Sequence, residues 1–395
     1  MSVSKAPLRI ALITPWDLED PDAWSGMIQP MRGALSRYAD VVDVPTSGLG
    51  AAPLDRALAR VSGTVLHKEY LVSHALATSI RRGRKLGNKT EVQGVDVLLG
   101  IVASQELAFL STRLPKVSVS DATLPGLTKF YPGYSNLAPS VAAQGRLVEK
   151  RSWKTSARCL VSSDWARDSL VRDYEIEPGR CRVVPFGPAV TPPDAVTLRH
   201  GPREPMRLLA VIRDWSRKQG DLVIQAFREL NDSGFPAVLS IVGPVPNGIR
   251  DETCLQFLGE LPHQTLASVY REHDVMLDLA LANASAVTLL DAAAFALPVV
   301  ATDVGGVRSV VDAGITGYLV PADESTVPAV VQALQSLCVR ETYAAFAKQA
   351  RTRYLTALNW DVWAAETVSE CEAAKKDWTM RALNRPRALS NLFHY

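Results

Sequence analysis

Two series of continuously apolar segments run along the chain, separated by stretches with helical periodicity. The first series occupies residues 8–14, 95–104, 116–121, 157–163 and 181–187, and the second occupies residues 206–212, 237–243, 255–259, 275–281, 298–303 and 316–320. Because polar residues do not alternate within these runs, they predict strands of parallel sheets that are covered on both faces. Between two such runs, residues 221–234 place apolar side chains at helical spacing.

A proline-rich stretch without periodicity, residues 188–205, separates the two series and is typical of a linker. The pattern therefore predicts an α/β protein with two doubly wound, Rossmann-like domains that face each other, residues 1–187 and 206–360. Ligands of such open sheets bind beyond the carboxyl ends of the strands, so we expect the site in the cleft between the domains.

Composition narrows the class of protein further. The chain has 395 residues and a net charge of +2, which gives no general affinity for nucleic acid. We expect neither a signal peptide nor a membrane span, because no cleavage-type region follows the first apolar run and no run reaches 18 apolar residues. The five cysteines are scattered and form no CxxC, which favours a reduced, cytoplasmic protein without a zinc site.

The stretch from Asn283 to Gly306 carries a lone acid, Asp291, within an apolar helical pattern. We expect the helix to begin near Ser285, so that its free N–H groups and the small neighbours Ala284 and Ala286 form an anion site. A carboxylate two turns on suits a ribose diol. The alternative is that Asp291 pairs with an arginine or a backbone N–H within the fold, since a buried carboxylate needs some partner.

Two cations, Arg213 and Lys218, follow the first strand of the second series. At that position they face the predicted cleft and can neutralise a diphosphate, which arginine binds in a bidentate manner. The alternative is an ordinary solvated loop, because lysine and arginine are usually exposed.

The order of motifs in residues 206–323 resembles the C-terminal domain of family 4 glycosyltransferases, and residues 13–31, 118–137 and 159–187 resemble a branch of that family. The resemblance implies the GT-B fold and transfer with retention from a nucleotide-sugar, most often UDP- or GDP-linked. The acceptor would be a glycan, a lipid-linked sugar or a small molecule, and no metal or other cofactor would be required. It also implies that a final helix, about 361–395, packs back on the first domain.

The resemblance assigns roles to matching positions. Arg213 and Lys218 would hold the donor diphosphate as catalytic groups, Asp291 would hold the ribose, and Asp121 would orient sugar or acceptor. The segment from Phe257 to Leu261 would lie near the base of the nucleotide. Further donor-binding positions would be Ser25, Gly26, Phe257, Leu258, Gly259, Leu261, Asn283, Ala284, Ser285, Ala286 and Val287.

Departures from the family pattern fall in the same region. Asn283 replaces the first Glu of the Glu-x7-Glu pattern, Ala284-Ser285-Ala286 replaces Gly-Phe-Gly, Ser309 replaces a Glu, and Asp121 replaces a His. Because of these departures, the pattern does not identify the donor sugar. They also favour an alternative, a catalytically inactive protein of the same fold that binds nucleotide or glycan, or supports a partner transferase. A sugar-nucleotide epimerase would need more acid–base residues in the cleft.

Three other patterns have simpler interpretations. Asp20-Pro21-Asp22 spells D-x-D but lies in a loop well after the first strand, which favours a structural role. His67 and His74 would share one helical face, without a third metal ligand. The basic segment 79–89 is interpreted as a solvated helix end; the alternative is peripheral contact with an anionic membrane, where lipid-linked acceptors reside.

Overall fold

A computed structural model describes residues 6–46, 48–248 and 250–383. Two parallel sheets of six strands each organise these residues. The first contains β1 Arg9–Ile13, β2 Asp40–Val44, β3 Val97–Ile101, β4 Lys116–Ser120, β5 Arg158–Val161 and β6 Cys181–Val183. The second contains β7 Met206–Val211, β8 Ala237–Val242, β9 Leu255–Gly259, β10 Val275–Asp278, β11 Val299–Thr302 and β12 Gly317–Val320.

Helices flank both sheets. They are α1 Ile28–Leu35, α2 Pro53–Val61, α3 Leu76–Gly87, α4 Ser104–Leu107, α5 Leu124–Phe130, α6 Pro132–Ser135, α7 Pro139–Thr155, α8 Asp164–Tyr174, α9 Gly220–Asp232, α10 His263–Glu272, α11 Val287–Ala294, α12 Val307–Val310, α13 Thr326–Leu337, α14 Arg340–Thr356 and α15 Trp360–Leu383. The sheet orders are β2-β1-β3-β4-β5-β6 and β12-β11-β10-β7-β8-β9. The predicted α/β class with two doubly wound sheets is confirmed.

The continuously apolar runs form the centres of the sheets. Residues of β3 and β4 are buried throughout, because helices cover both faces of a parallel sheet. The strand that the pattern did not predict, β2, lies at a sheet edge, and its residues Asp40 to Asp43 are exposed or half-buried. Its polar positions therefore gave no continuous apolar signal.

The connection after β6 and the last helix are joined by aromatic packing. The indole Nε1 of Trp360 donates to the carbonyl of Pro188 at 2.7 Å, and the Trp360 and Trp363 rings pack near Phe186. A Cβ on Gly187 would lie 2.6 Å from the Trp360 ring, so only glycine permits this close approach. From here α15 runs back across the first half of the chain, where it packs against α1, β3, β4 and β5.

The last helix is described only as far as Leu383, so residues 384–395 of the predicted segment lie outside the described residues. Salt bridges join the described part of α15 to the first half of the chain: Arg37 to Asp361 at 2.6 Å and Arg158 to Glu370 at 2.9 Å. Within the described ranges, no helix combines the length and apolarity that a membrane crossing requires.

Candidate active site in the interdomain cleft

A cavity of about 610 Å³ lies between the two sheets. Loops at the carboxyl ends of β1 and β4 contribute Trp16, Ser25 and Asp121 from one side, and the loop after β7 contributes Arg213 from the other. This is the cleft in which the topology of open sheets places a ligand. Among the predicted site residues, the cavity is lined by Ser25, Asp121, Arg213, Lys218, Leu261, Asn283, Ala284, Ser285, Val287 and Asp291.

The segment predicted to lie near a base is mostly outside this cavity. Phe257 packs against Trp215, with ring centroids 6.4 Å apart, and Leu258 packs on the hydrophobic core. The carbonyl of Gly259 accepts the N–H of Gly243 at 2.8 Å, where β8 and β9 shift register. Of the segment predicted to lie near the base, Glu260 and Leu261 line the cavity, whereas Phe257, Leu258 and Gly259 do not.

Gly26, which was predicted to bind the donor, does not line the cavity and lies close to His263 of the second half of the chain. Its φ is +79°, and a Cβ there would lie 2.8 Å from Cε1 of His263. The second carboxylate of the D-x-D, Asp22, lies 3.5 Å from Nε2 of the same histidine. The D-x-D thus contributes to an interdomain contact, as its structural interpretation allowed.

Lys218 has a protein partner that the sequence did not predict. Its Nζ lies 2.6 Å from Oδ2 of Asp278, the last residue of β10, and less than a tenth of either side chain is exposed. Burial lowers the pKa of Lys218, and the attraction of Asp278 opposes that shift. The lysine therefore lines the cavity as one half of a buried ion pair.

Asn283 also binds Asp278, and its side chain serves the local fold. Nδ2 donates to Oδ2 of Asp278 at 3.0 Å, while Oδ1 accepts the N–H of Ala286 at 3.0 Å. The helix α11 begins near Ser285 as predicted, at Val287, but its N-cap is Ala286, whose φ is +52°, and Ser285 does not cap it. Ala286 is fully buried and does not line the cavity, so its N–H does not reach the predicted anion site.

The loop before α11 is contacted from the first half of the chain. The hydroxyl of Tyr131 accepts the N–H of Ala284 at 3.0 Å, and the Ser285 side chain interacts with Asp121 across the cleft. Burial raises the pKa of Asp121 to about 6. The small side chains at 284 and 285 therefore allow close interdomain contact, and Tyr131 occupies one of the N–H groups that was expected to bind an anion.

Ser309, which departs from the family pattern, also takes part in the contact between the two halves of the chain. Its hydroxyl accepts the N–H of Asp164 at 3.1 Å, at the start of α8. Nearby, a Cβ on Gly306 would lie 2.0 Å from the carbonyl oxygen of Ala284. Glycine at that position lets the turn after β11 pack directly against the loop before α11.

Asp291 lies at the cavity with two partners from the fold. Oδ1 accepts the N–H of Val190 at 3.0 Å, and Oδ2 accepts the hydroxyl of Tyr270 at 3.2 Å. Burial is the main cause that raises the pKa of Asp291 to about 7. The backbone N–H is the partner that the alternative interpretation required, and because Asp291 also lines the cavity, its role toward a ribose stays a prediction.

Two histidines that the sequence did not predict as site residues line the cavity. His74 and His263 both line it, and burial lowers the pKa of each, that of His74 to about 4. The expectation that His67 and His74 share a helical face is wrong, because His67 has φ +49° and His74 belongs to a separate 3-10 turn, Val72–His74. Within the described residues no cluster of three or more metal-ligand side chains is found.

The basic segment 79–89 contributes one residue to the cavity. Arg82 on α3 lines it and pairs with the buried Glu106 at 2.7 Å. Gly83 lets α3 approach the backbone of Phe109, because a Cβ would lie 2.6 Å from that carbonyl carbon. Arg81 and Lys85 are exposed, which agrees with a solvated helix face.

The architecture is that of the GT-B class, in which two Rossmann-like sheets face each other across a cleft. The solved structure of sucrose-phosphate synthase from Thermosynechococcus elongatus matches with a TM-score of 0.66 at 16% identity, over 94% of this chain and all of that one. The structure of Anabaena HepE in complex with UDP and glucose matches with a TM-score of 0.58 at 13% identity, over 93% of this chain and all of that one.

Sequence comparison also identifies relatives of this chain. Residues 206–339 match the family model described as glycosyl transferases group 1. The chain is 30% identical to D-inositol 3-phosphate glycosyltransferase of Mycobacteroides abscessus over 283 residues, 64% of this chain and 62% of that protein. The chain spans 48% and 47% of two further relatives, so these alignments leave a large part of each relative unmatched.

Proposed function

We propose that the protein is a glycosyltransferase that moves a sugar from a nucleotide-diphosphate sugar to a glycan, lipid-linked or small-molecule acceptor, with retention of configuration. The observation that carries the proposal is the convergence of Arg213, Lys218 and Asp291 on one cavity between two Rossmann-like sheets. The family match over residues 206–339 and the UDP-bound neighbour of the same fold support a nucleotide-sugar donor, UDP- or GDP-linked.

In this proposal the cations act where negative charge develops. As the sugar leaves the diphosphate, the guanidinium of Arg213 stabilises the departing phosphate in a site shielded from water. A phosphate oxygen takes the proton of the acceptor hydroxyl on the same face of the sugar, so the reaction needs neither a metal nor another cofactor. Asp121, beside the sugar position, orients sugar or acceptor.

Asp291 supplies the ribose contact. Burial raises its pKa to about 7, so at neutral pH the carboxyl and carboxylate forms coexist and can donate to or accept from a diol. Its partner Tyr270 lines the same cavity and keeps the carboxyl oriented.

A thermal-shift panel tests the donor site. UDP, GDP, ADP, CMP and dTDP are titrated against wild type, Asp291→Ala and the control Asp232→Ala, which removes an exposed carboxylate at the end of α9. A ligand at a hundredfold excess over its Kd stabilises a protein by about 2.7 kcal/mol. We expect one diphosphate to shift wild type and the control but not Asp291→Ala, and the matching sugar nucleotides then enter transfer assays with glycan and lipid-linked acceptors.

A second candidate is a catalytically inactive protein of the same fold that binds nucleotide or glycan, or supports a partner transferase. It is favoured by the engagement of Asn283 within its own loop and by the pairing of Lys218 with Asp278. Nucleotide binding without any sugar transfer or donor hydrolysis would support this candidate. Absence of a shift with every nucleotide would contradict the transferase proposal.

A further inference from the structure

A third cation, Arg217, lies at the donor end of the cavity and has not been given a role. It lines the cavity beside Arg213. Its Nη1 donates to the carbonyl of Ala282 at 2.8 Å, and its backbone carbonyl accepts the N–H of Leu281 at 2.8 Å. Its guanidinium carbon lies 5.2 Å from the ring centroid of Tyr131 on the opposite side of the cleft. Arg217 is therefore held in place from both halves of the chain.

The charges around this end of the cavity are unequally compensated. The ammonium of Lys218 lies 2.6 Å from a carboxylate that is 1% exposed, and at that distance in a buried site its charge is largely offset. The carboxylate near Arg217 is that of Asp214, which lies 3.5 Å from Nε and is 35% exposed. A solvated carboxylate at that distance offsets much less charge.

Two further side chains besides Lys218 donate hydrogen bonds to Asp278. Its Oδ2 accepts from Nζ of Lys218 at 2.6 Å, Nδ2 of Asn283 at 3.0 Å and Oγ1 of Thr288 at 2.9 Å. These bonds connect the loop after β7, the loop before α11 and the first turn of α11. Moving Lys218 toward a ligand would leave a buried carboxylate with weaker compensation, which is costly.

We infer that Arg217, with Arg213, neutralises the diphosphate of the donor, while Asp278 holds Lys218 chiefly as a structural ion pair. The inference rests on the proposed function and makes Arg217 a specific binding residue of that site. A guanidinium suits this role because it stays charged and presents paired N–H groups that match two phosphate oxygens. The Tyr131 ring, whose centroid lies 5.2 Å from the guanidinium carbon of Arg217, would also exclude water, and this strengthens the contact.

Isothermal titration tests the inference with the nucleoside diphosphate that binds wild type, its parent nucleoside, and inorganic pyrophosphate. The variants are Arg217→Gln, Arg217→Lys and the control Arg228→Gln, which removes an arginine that is 54% exposed on α9. We expect Arg217→Gln to weaken the diphosphate and pyrophosphate at least tenfold without changing nucleoside affinity. Arg217→Lys should recover part of that loss, and Arg228→Gln should match wild type.

Two results would overturn the inference while the proposed function stands. One is diphosphate affinity in Arg217→Gln within twofold of wild type. The other is an equal loss of nucleoside and diphosphate affinity, which would indicate a purely structural role. If wild type itself binds no nucleoside diphosphate, the proposed function fails, and the inference fails with it.

Discussion

Removing Lys218 should leave the buried carboxylate of Asp278 without its cation. The two side chains are 9% and 1% exposed, and their charged atoms lie 2.6 Å apart. Taking one partner from a buried ion pair typically costs about 3–5 kcal/mol, because the remaining charge is desolvated without compensation. We therefore expect Lys218→Met to lose about 3–5 kcal/mol of unfolding free energy, measured by urea denaturation and tryptophan fluorescence at pH 7.

A double-mutant cycle separates this effect from lost packing. Lys218→Met combined with Asp278→Asn removes both charges and should regain much of the loss, so the two changes should not be additive. The matched control is Arg228→Met, which breaks a pair with Glu252 in which both side chains are about half exposed and should cost less than about 1 kcal/mol. Additive losses, or a cost for Lys218→Met no larger than that of the control, would refute the argument.

Three shorter predictions concern the fold, the pH response and the chemistry. Gly26→Ala should cost about 1–3 kcal/mol and lower the Tm, because φ is +79° and the new Cβ would meet His263 at 2.8 Å; Gly33→Ala, with nothing within 4 Å, should not. Burial raises the pKa of Asp291 from 3.8 to about 7, so its contribution to stability is full below the unfolded value and is lost as pH rises toward 7. Wild type should thus lose about 1.4 kcal/mol per pH unit relative to Asp291→Asn within that window, and a pH-independent Tm difference would contradict the assignment. EDTA should leave nucleotide affinity unchanged in titration calorimetry, whereas a loss of binding would indicate a metal requirement.

The sequence predicted the sheets better than it predicted the site. Apolar runs on central strands are continuous because helices cover both faces, so eleven of the strands in the described residues were located from the pattern alone. The edge strand β2 was missed because Asp40 to Asp43 are exposed or half-buried, so the strand carries polar residues and no continuous apolar run. The start of α11 was predicted close to its position, but Ser285 does not cap the helix: Asn283 accepts the N–H of Ala286, and the Ser285 side chain interacts with Asp121 across the cleft.

Within the site, the sequence determined which cations and carboxylates could take part. Arg213, Lys218 and Asp121 stand at or near the ends of predicted strands and helices, and Asp291 is the lone acid in an apolar helical pattern. Only the tertiary structure decided their partners. The pairing of Lys218 with Asp278 joins residues sixty positions apart, and Tyr131 reaches Ala284 from the other half of the chain. The local sequence pattern indicates which face of a helix or strand is buried. The charge that compensates a buried ionic group, however, comes from an element that is distant in sequence and packs against it.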